Sequence, residues 1–196
     1  MVIQPVTLKG HYVRMEPLSM EHHAALCAHA FEPEMWRWML GDVATPEDVT
    51  KFIQGALAEQ VQGVSLPFAT VDAATGLAIG STRYLNISTP NRRVEIGSTW
   101  LGAAFRRTAA NTEAKLLMLR HAFETLHAIR VEFKTDELNT RSRTAILRIG
   151  AQFEGIFRKH MIMPNGRVRN SAFYSITGEE WPQVKALLEE KLAGAQ

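Results

Sequence analysis

VEIGSTWLGAAFRRTAANTEA, residues 94–114, concentrates the chemistry of this chain in one place. It starts inside a β-rich run over 93–101, passes through a short loop, and opens a helix whose first residues are small or polar. The first turn of a helix leaves its N–H groups without intrahelical acceptors and carries partial positive charge, so it can hold a phosphate. Arg106 and Arg107 precede that turn and add charge and forked donors. Alone, a strand–loop–helix with two arginines also fits a solvated surface, so the flanking elements have to discriminate.

Outward from this stretch, strands and helices alternate, which favours a sheet with helices on its faces. Upstream, residues 7–17 predict a first strand, with Leu8, Tyr12, Val13 and Met15 among polar neighbours. Ser19 suits the N-cap of a helix over 20–31. Thr45, Pro46 and Glu47 suit the start of a helix reaching residue 61: a capping residue, a proline, then acids in the first turn. Residues 66–71 and 77–87 predict a hairpin about a turn at 72–76. Downstream, 112–127 predicts a helix with Leu116, Leu119, Phe123 and Leu126 on one stripe. A strand over 129–135 and a helix over 139–149, stopped by Gly150, come next. A hairpin of 152–163 and 168–176 about Pro164-Asn165-Gly166, then a helix over 179–192, complete the order.

The chain has 196 residues with no internal linker or repeat, which predicts one domain over 1–196. Apolar residues make up 46% and charged residues 21%, enough to build a core. A net charge of +2 gives no nucleic-acid footprint. The single cysteine, Cys27, excludes an intrachain disulfide and a cysteine zinc site, and reads as a small packed residue. His22 and His23 are adjacent and His121 and His127 six apart, so neither pair has metal-ligand spacing and no metal is expected. No apolar run approaches the ~20 residues that cross a bilayer, and the N-terminus lacks the apolar stretch of a secretory signal. A cytoplasmic protein without a membrane or nucleic-acid partner is therefore expected.

With that element order, residues 94–114 resemble motif A of the GCN5-related N-acetyltransferase (GNAT) family, in its RimJ/RimL-like branch. There, a strand ending in an aromatic-Leu pair leads into a loop of the form Arg/Gln-x-x-Gly-x-Gly/Ala, and the next helix begins Thr-Glu-Ala. Trp100-Leu101, Arg106 and Thr112-Glu113-Ala114 match those positions. A second motif, ELNTRSRTAILRIGAQFEG, resembles the family's Asn-x-x-Ser helix and Gly-aromatic strand entry through Asn139, Ser142, Gly150 and Phe153. The likeness also takes in VTLKGHYVRMEPL near the N-terminus and Tyr174-Ser175-Ile176 near the C-terminus, in order. It departs at Ala109 and Asn111, where the family's loop has glycine, and glycine or alanine. Glycine there lets the backbone approach a pyrophosphate, so the departure predicts retained binding with altered geometry or affinity.

The resemblance implies an α/β fold (α+β by some schemes): a central mixed, mostly antiparallel, twisted sheet with a splay between its two middle strands, flanked by helices. It implies acetyl-CoA as co-substrate and a primary amine as acceptor, either a protein N-terminus or a small molecule. The pyrophosphate would sit on the amides of Arg107, Thr108, Ala109, Ala110, Asn111 and Thr112, led by Arg106. The pantetheine arm would pair with Thr99, Trp100 and Leu101 as an added strand does, with Asn139 and Ser142 beside it. Attack is direct: Glu95 is the candidate base, and Ser98, Ser142 and Tyr174 are candidate donors to the departing sulfur. Glu113 reads as support for the helix dipole. Trp36 and Trp38, with Met35 and Met39, line either an acceptor pocket or a core or dimer contact. The branch also implies a homodimer. A CoA-binding or regulatory module without turnover, and a structural or oligomerisation protein of the same fold, are the other readings of these residues.

Overall fold

In the computed structural model, which describes residues 1–195, the chain alternates strands and helices from end to end. It runs β1 (Leu8–Lys9), β2 (Val13–Pro17), α1 (His23–Ala30), α2 (Pro33–Trp36), α3 (Pro46–Val61), β3 (Leu66–Asp72), β4 (Ala78–Ser88) and β5 (Arg93–Leu101). The remainder is α4 (Ala109–Arg120), β6 (Arg130–Asp136), α5 (Thr140–Arg148), β7 (Gln152–Ile162), β8 (Val168–Thr177) and α6 (Trp181–Ala193). One sheet holds all eight strands in the order β1-β2-β3-β4-β5-β6-β8-β7. The β5–β6 pair is parallel and the others are antiparallel, so the mixed, mostly antiparallel α/β sheet that the family resemblance implies is the one observed.

Each face of the sheet has its own apolar cluster. Val94, Ile96, Val131, Phe133, Tyr174 and Ile176 pack against α4 through Met118 and Leu119 and against α6 through Trp181, Val184 and Leu188. On the opposite face of the N-terminal half, Ala69, Val71 and Trp100 meet Leu26 of α1, Trp36 of α2 and Ile53 of α3. Thr45 caps α3 from its side chain to the Asp48 amide, as its sequence signature implies.

Two elements differ from the sequence reading, one because of a distant side chain and one because of a local cap. Residues 7–17 do not form one strand but a hairpin, β1 against β2. Glu113 of α4 gathers the amides of His11, Tyr12 and Val13 at 2.7, 2.6 and 2.7 Å, which bends the chain there. The helix placed at 112–127 starts earlier, at Ala109, because Thr108 is its N-cap and accepts from the Ala110 amide at 3.2 Å. Its regular part ends at Arg120 and a single π turn follows over His121–Thr125.

Candidate active site

β5 and β6 pair only over Arg93↔Arg130, Val94↔Val131 and Glu95↔Glu132, then separate. β5 continues to Leu101 with its β6-facing edge unpaired, while β6 stays bonded to β8 on its other side. The result is a gap that opens toward the carboxyl ends of two parallel strands, where open α/β sheets bind ligands. α4 begins at one side of its mouth and α5 at the other.

A β-bulge bends β5 beside the gap. Gly97 pairs with Arg83 and Trp100 with Ser81, so β5 has one residue more than β4 across this interval. Ser98 takes φ 47, and the inward faces change parity there: Ile96 and Leu101 both enter the α4-side core. The Thr82 hydroxyl donates to the Gly97 carbonyl at 3.2 Å, which turns that carbonyl toward β4. In a trans peptide the next N–H points the opposite way, so the Ser98 amide faces the gap.

At the mouth, Arg107 takes φ 62 and Thr108 is extended, which presents the first turn of α4 to solvent. The Ala109 and Asn111 amides find no acceptor in the protein, among the described residues. Ala109, Ala110 and Asn111 lie inside the helix rather than in a loop, so none of them needs the backbone freedom of glycine. Arg106 turns away from the mouth. Its guanidinium grips Glu32 at 2.8 and 2.7 Å, its Nε donates to the Leu101 carbonyl at 2.9 Å, and the pairing holds the Glu32 carboxyl below its usual pKa. Across the mouth, Asn139 caps α5 by accepting from the Ser142 amide at 3.1 Å, and the half-buried Ser142 lies in the first turn. Arg148 of α5 reaches the Thr112 hydroxyl of α4 at 3.2 Å, a cation at the pocket that the sequence reading did not single out.

Glu95 is the last β5 residue paired to β6 and is 3% exposed. Its carboxylate accepts from Asn86 Nδ2 at 2.7 Å and lies 3.4 Å from Lys134 Nζ. The surface arginines take other partners: Arg93 bonds Glu132 and Arg92 bonds the His127 carbonyl. On the same side of the sheet, His160 Nδ1 of β7 is 3.0 Å from Ser171 Oγ of β8. Burial, with help from the positive charges of Lys134 and Arg169, pushes the His160 pKa down, and Glu95 partly offsets it. Lys134 and His160 carried no sequence signal because only strand pairing brings them to Glu95.

Tyr174 lies on the other face. It pairs with Phe133 on the helix side of the sheet, is fully buried, and accepts at its hydroxyl from Arg143 Nε of α5 at 2.9 Å. Trp36 is core, ringed by Phe52 and Trp100, whereas Trp38 stacks under Arg37 and Arg167. Among the described residues no cluster of histidine, cysteine or carboxylate side chains could hold a metal, and no helix is long and apolar enough to cross a membrane.

The chain's likeness to known proteins agrees with this geometry. Residues 13–152 match the acetyltransferase (GNAT) domain. A GCN5-related N-acetyltransferase structure from Brucella melitensis is 31% identical, covers 99% of this chain and 91% of its own, and superposes with a TM-score of 0.92. An acetyltransferase structure from T. thermophilus is 37% identical over 98% of this chain and 100% of its own, with a TM-score of 0.88. The Mycobacterium smegmatis RimJ structure, described as a complex with CoA-disulfide, shares the fold at 24% identity, 97% and 96% coverage and a TM-score of 0.81.

Proposed function

The chain belongs to the acetyltransferase (GNAT) family and is an acyl-CoA-dependent N-acetyltransferase, and from that premise we propose that it moves an acetyl group directly to a primary amine, on a protein N-terminus or a small molecule. One juxtaposition carries the reading: the buried Glu95 carboxylate stands at the vertex of a gap whose mouth offers the unpaired amides of α4. That a fold neighbour is described with CoA-disulfide bound supports the same assignment of the gap.

Acetyl-CoA supplies the activated acyl group. In the Arg107–Thr112 turn the unpaired Ala109 and Asn111 amides receive its pyrophosphate, with Arg148 as a neighbouring cation, and the β5 edge that β6 leaves unpaired at Thr99, Trp100 and Leu101 pairs with the extended arm. The side-chain nitrogen of Asn139 remains free to meet that arm, since its oxygen caps α5. The Ser98 N–H donates to the oxygen on which charge builds as the amine attacks. Glu95, directly or through water, takes the proton the amine must lose, and Lys134, 3.4 Å away, holds the carboxylate in place. As the C–N bond forms and the C–S bond breaks, the Ser142 hydroxyl gives a proton to the thiolate and regains one from solvent. In this scheme Arg106 shapes the loop through Glu32 and Leu101, and Tyr174 acts on the site through Arg143.

Thiol release from acetyl-CoA with a panel of peptides and small amines tests the reaction. Glu95→Gln is expected to lower kcat on the order of a hundredfold with little change in CoA affinity. Unchanged turnover would remove Glu95 from the scheme. The working location is the cytoplasm. Phe157 and Ile162, 55% and 75% exposed on the edge strand β7, support a homodimer, which light scattering would check.

A further inference from the structure

Lys115 is the only buried lysine among the described residues, 6% exposed in the middle of α4. No carboxylate pairs with it, and burial alone pushes its amine down to about 7. Burying an amine without an opposite charge is costly, and an apolar residue would fit the surrounding core of Met118 and Leu119 at no such cost. What Lys115 touches instead is two hydroxyls beside the gap. Its Nζ lies 2.7 Å from Thr99 Oγ1 and 3.4 Å from Thr82 Oγ1, and those two oxygens are 2.7 Å apart.

Counting protons gives this cluster a direction. A hydroxyl has one hydrogen, and that of Thr82 is spent on the Gly97 carbonyl. Thr82 therefore accepts from Thr99, whose oxygen in turn accepts from Lys115. An amine donates in either protonation state, so Lys115 heads the order Lys115 to Thr99 to Thr82 to Gly97, whose direction is set by the Thr82 bond to the Gly97 carbonyl. The last bond sets the plane of the peptide between Gly97 and Ser98, whose N–H faces the gap.

We propose that Lys115 is a positioning residue for acyl transfer, acting through Thr99 and Thr82 to hold the Gly97–Ser98 peptide so that its N–H meets the thioester oxygen. The inference rests on the acetyl-CoA reading of the gap and adds to it a residue that touches neither substrate. Thr82 and Lys115 should then govern recognition of the carbonyl and leave the rest of the CoA molecule alone.

The test compares the affinities of acetyl-CoA, S-ethyl-CoA (a thioether without the carbonyl oxygen) and free CoA by calorimetry. Wild type should prefer acetyl-CoA to the thioether by about tenfold, the worth of one good hydrogen bond. Lys115→Met and Thr82→Val should bring that ratio close to one while free CoA binds within about threefold of wild type, and Thr82→Ser should keep the preference. Lys115→Met removes a burial cost, so it is expected to fold, and Thr82→Val provides an independent break in the same chain. A preference unchanged in both folded variants, or no preference in wild type, would overturn the proposal. If wild type bound no CoA at all, the reading of the gap itself would fall.

Discussion

Arg106 and Glu32 form a two-pronged ion pair, at 2.8 and 2.7 Å, that ties the connection between α1 and α2 to the loop before α4. The same guanidinium donates to the Leu101 carbonyl, so one side chain braces the end of β5, the approach to α4 and the segment carrying Met35. Both partners are partly exposed, 20% and 40%, and the pair itself contributes only about 0.5 kcal/mol to stability. Its consequence is positional. Arg106→Ala loses both the pair and the Leu101 contact, and is expected to weaken CoA binding on the order of tenfold. Glu32→Gln keeps the Leu101 contact, so CoA affinity should stay within about threefold while the acceptor KM rises. Equal loss of CoA affinity in the two variants would show that the ion pair, rather than the Leu101 contact, holds the cradle.

The Glu113 carboxylate accepts three backbone amides of the β1–β2 turn, and a Cβ built on Gly10 would lie 2.4 Å from it. Contact that close leaves no room for a methyl group, and the buried carboxylate has no alternative partner. Glu113→Gln would turn an NH2 toward N–H donors and is expected to cost about 3 kcal/mol in urea unfolding. Gly10→Ala should destabilise by a similar amount, and the double variant by much less than the sum, because both substitutions break the same contact. Additive losses would mean that the two positions act independently.

The long-range placement of Glu113 marks where sequence reading stopped. Hairpins, caps and helix stripes are local, so β3 to β5, the Thr45 cap and the Gly150 stop, at φ 93, were legible from neighbouring residues. The gap was legible only through the family resemblance, since its cause is a pairing that ends after Glu95. The split at Gly10, the Glu95–Lys134 pair and the Lys115 hydroxyl chain depend on residues up to about a hundred positions apart, and no spacing rule reaches that far. The local sequence signal for Lys115 is a lysine set among Ala114, Leu116, Leu117 and Met118.

The departure from glycine at Ala109 predicts retained binding with altered geometry or affinity, and Ala109 occupies the first position of a regular helix. Alanine is the better residue for that conformation. Ala109→Gly is expected to lower stability by about 0.5–1 kcal/mol without tightening CoA binding. Isothermal titration with CoA alongside thermal melts would check both halves. A fivefold or greater gain in affinity would show that close backbone approach, rather than helix geometry, limits the cradle.

Lys115 also gives the fold a defined pH response. Its amine titrates at about 7 in the folded protein against 10.5 when exposed. Between those values the unfolded chain holds a proton that the folded chain lacks, so stability rises with pH across this window. Below about 7 both states are protonated and the cost of burying the charge is present in full. Above the ordinary lysine value it disappears. Lys115→Met has no such cost, so its stability advantage over wild type should be largest at pH 6 and shrink toward pH 10, by at most about 1.4 kcal/mol per unit inside the window. Groups common to both proteins cancel in the difference, which isolates this amine. Urea midpoints for the two proteins at pH 6, 8 and 9.5 would measure it, and a gap independent of pH would mean that Lys115 stays charged in place, stabilised by its hydroxyls.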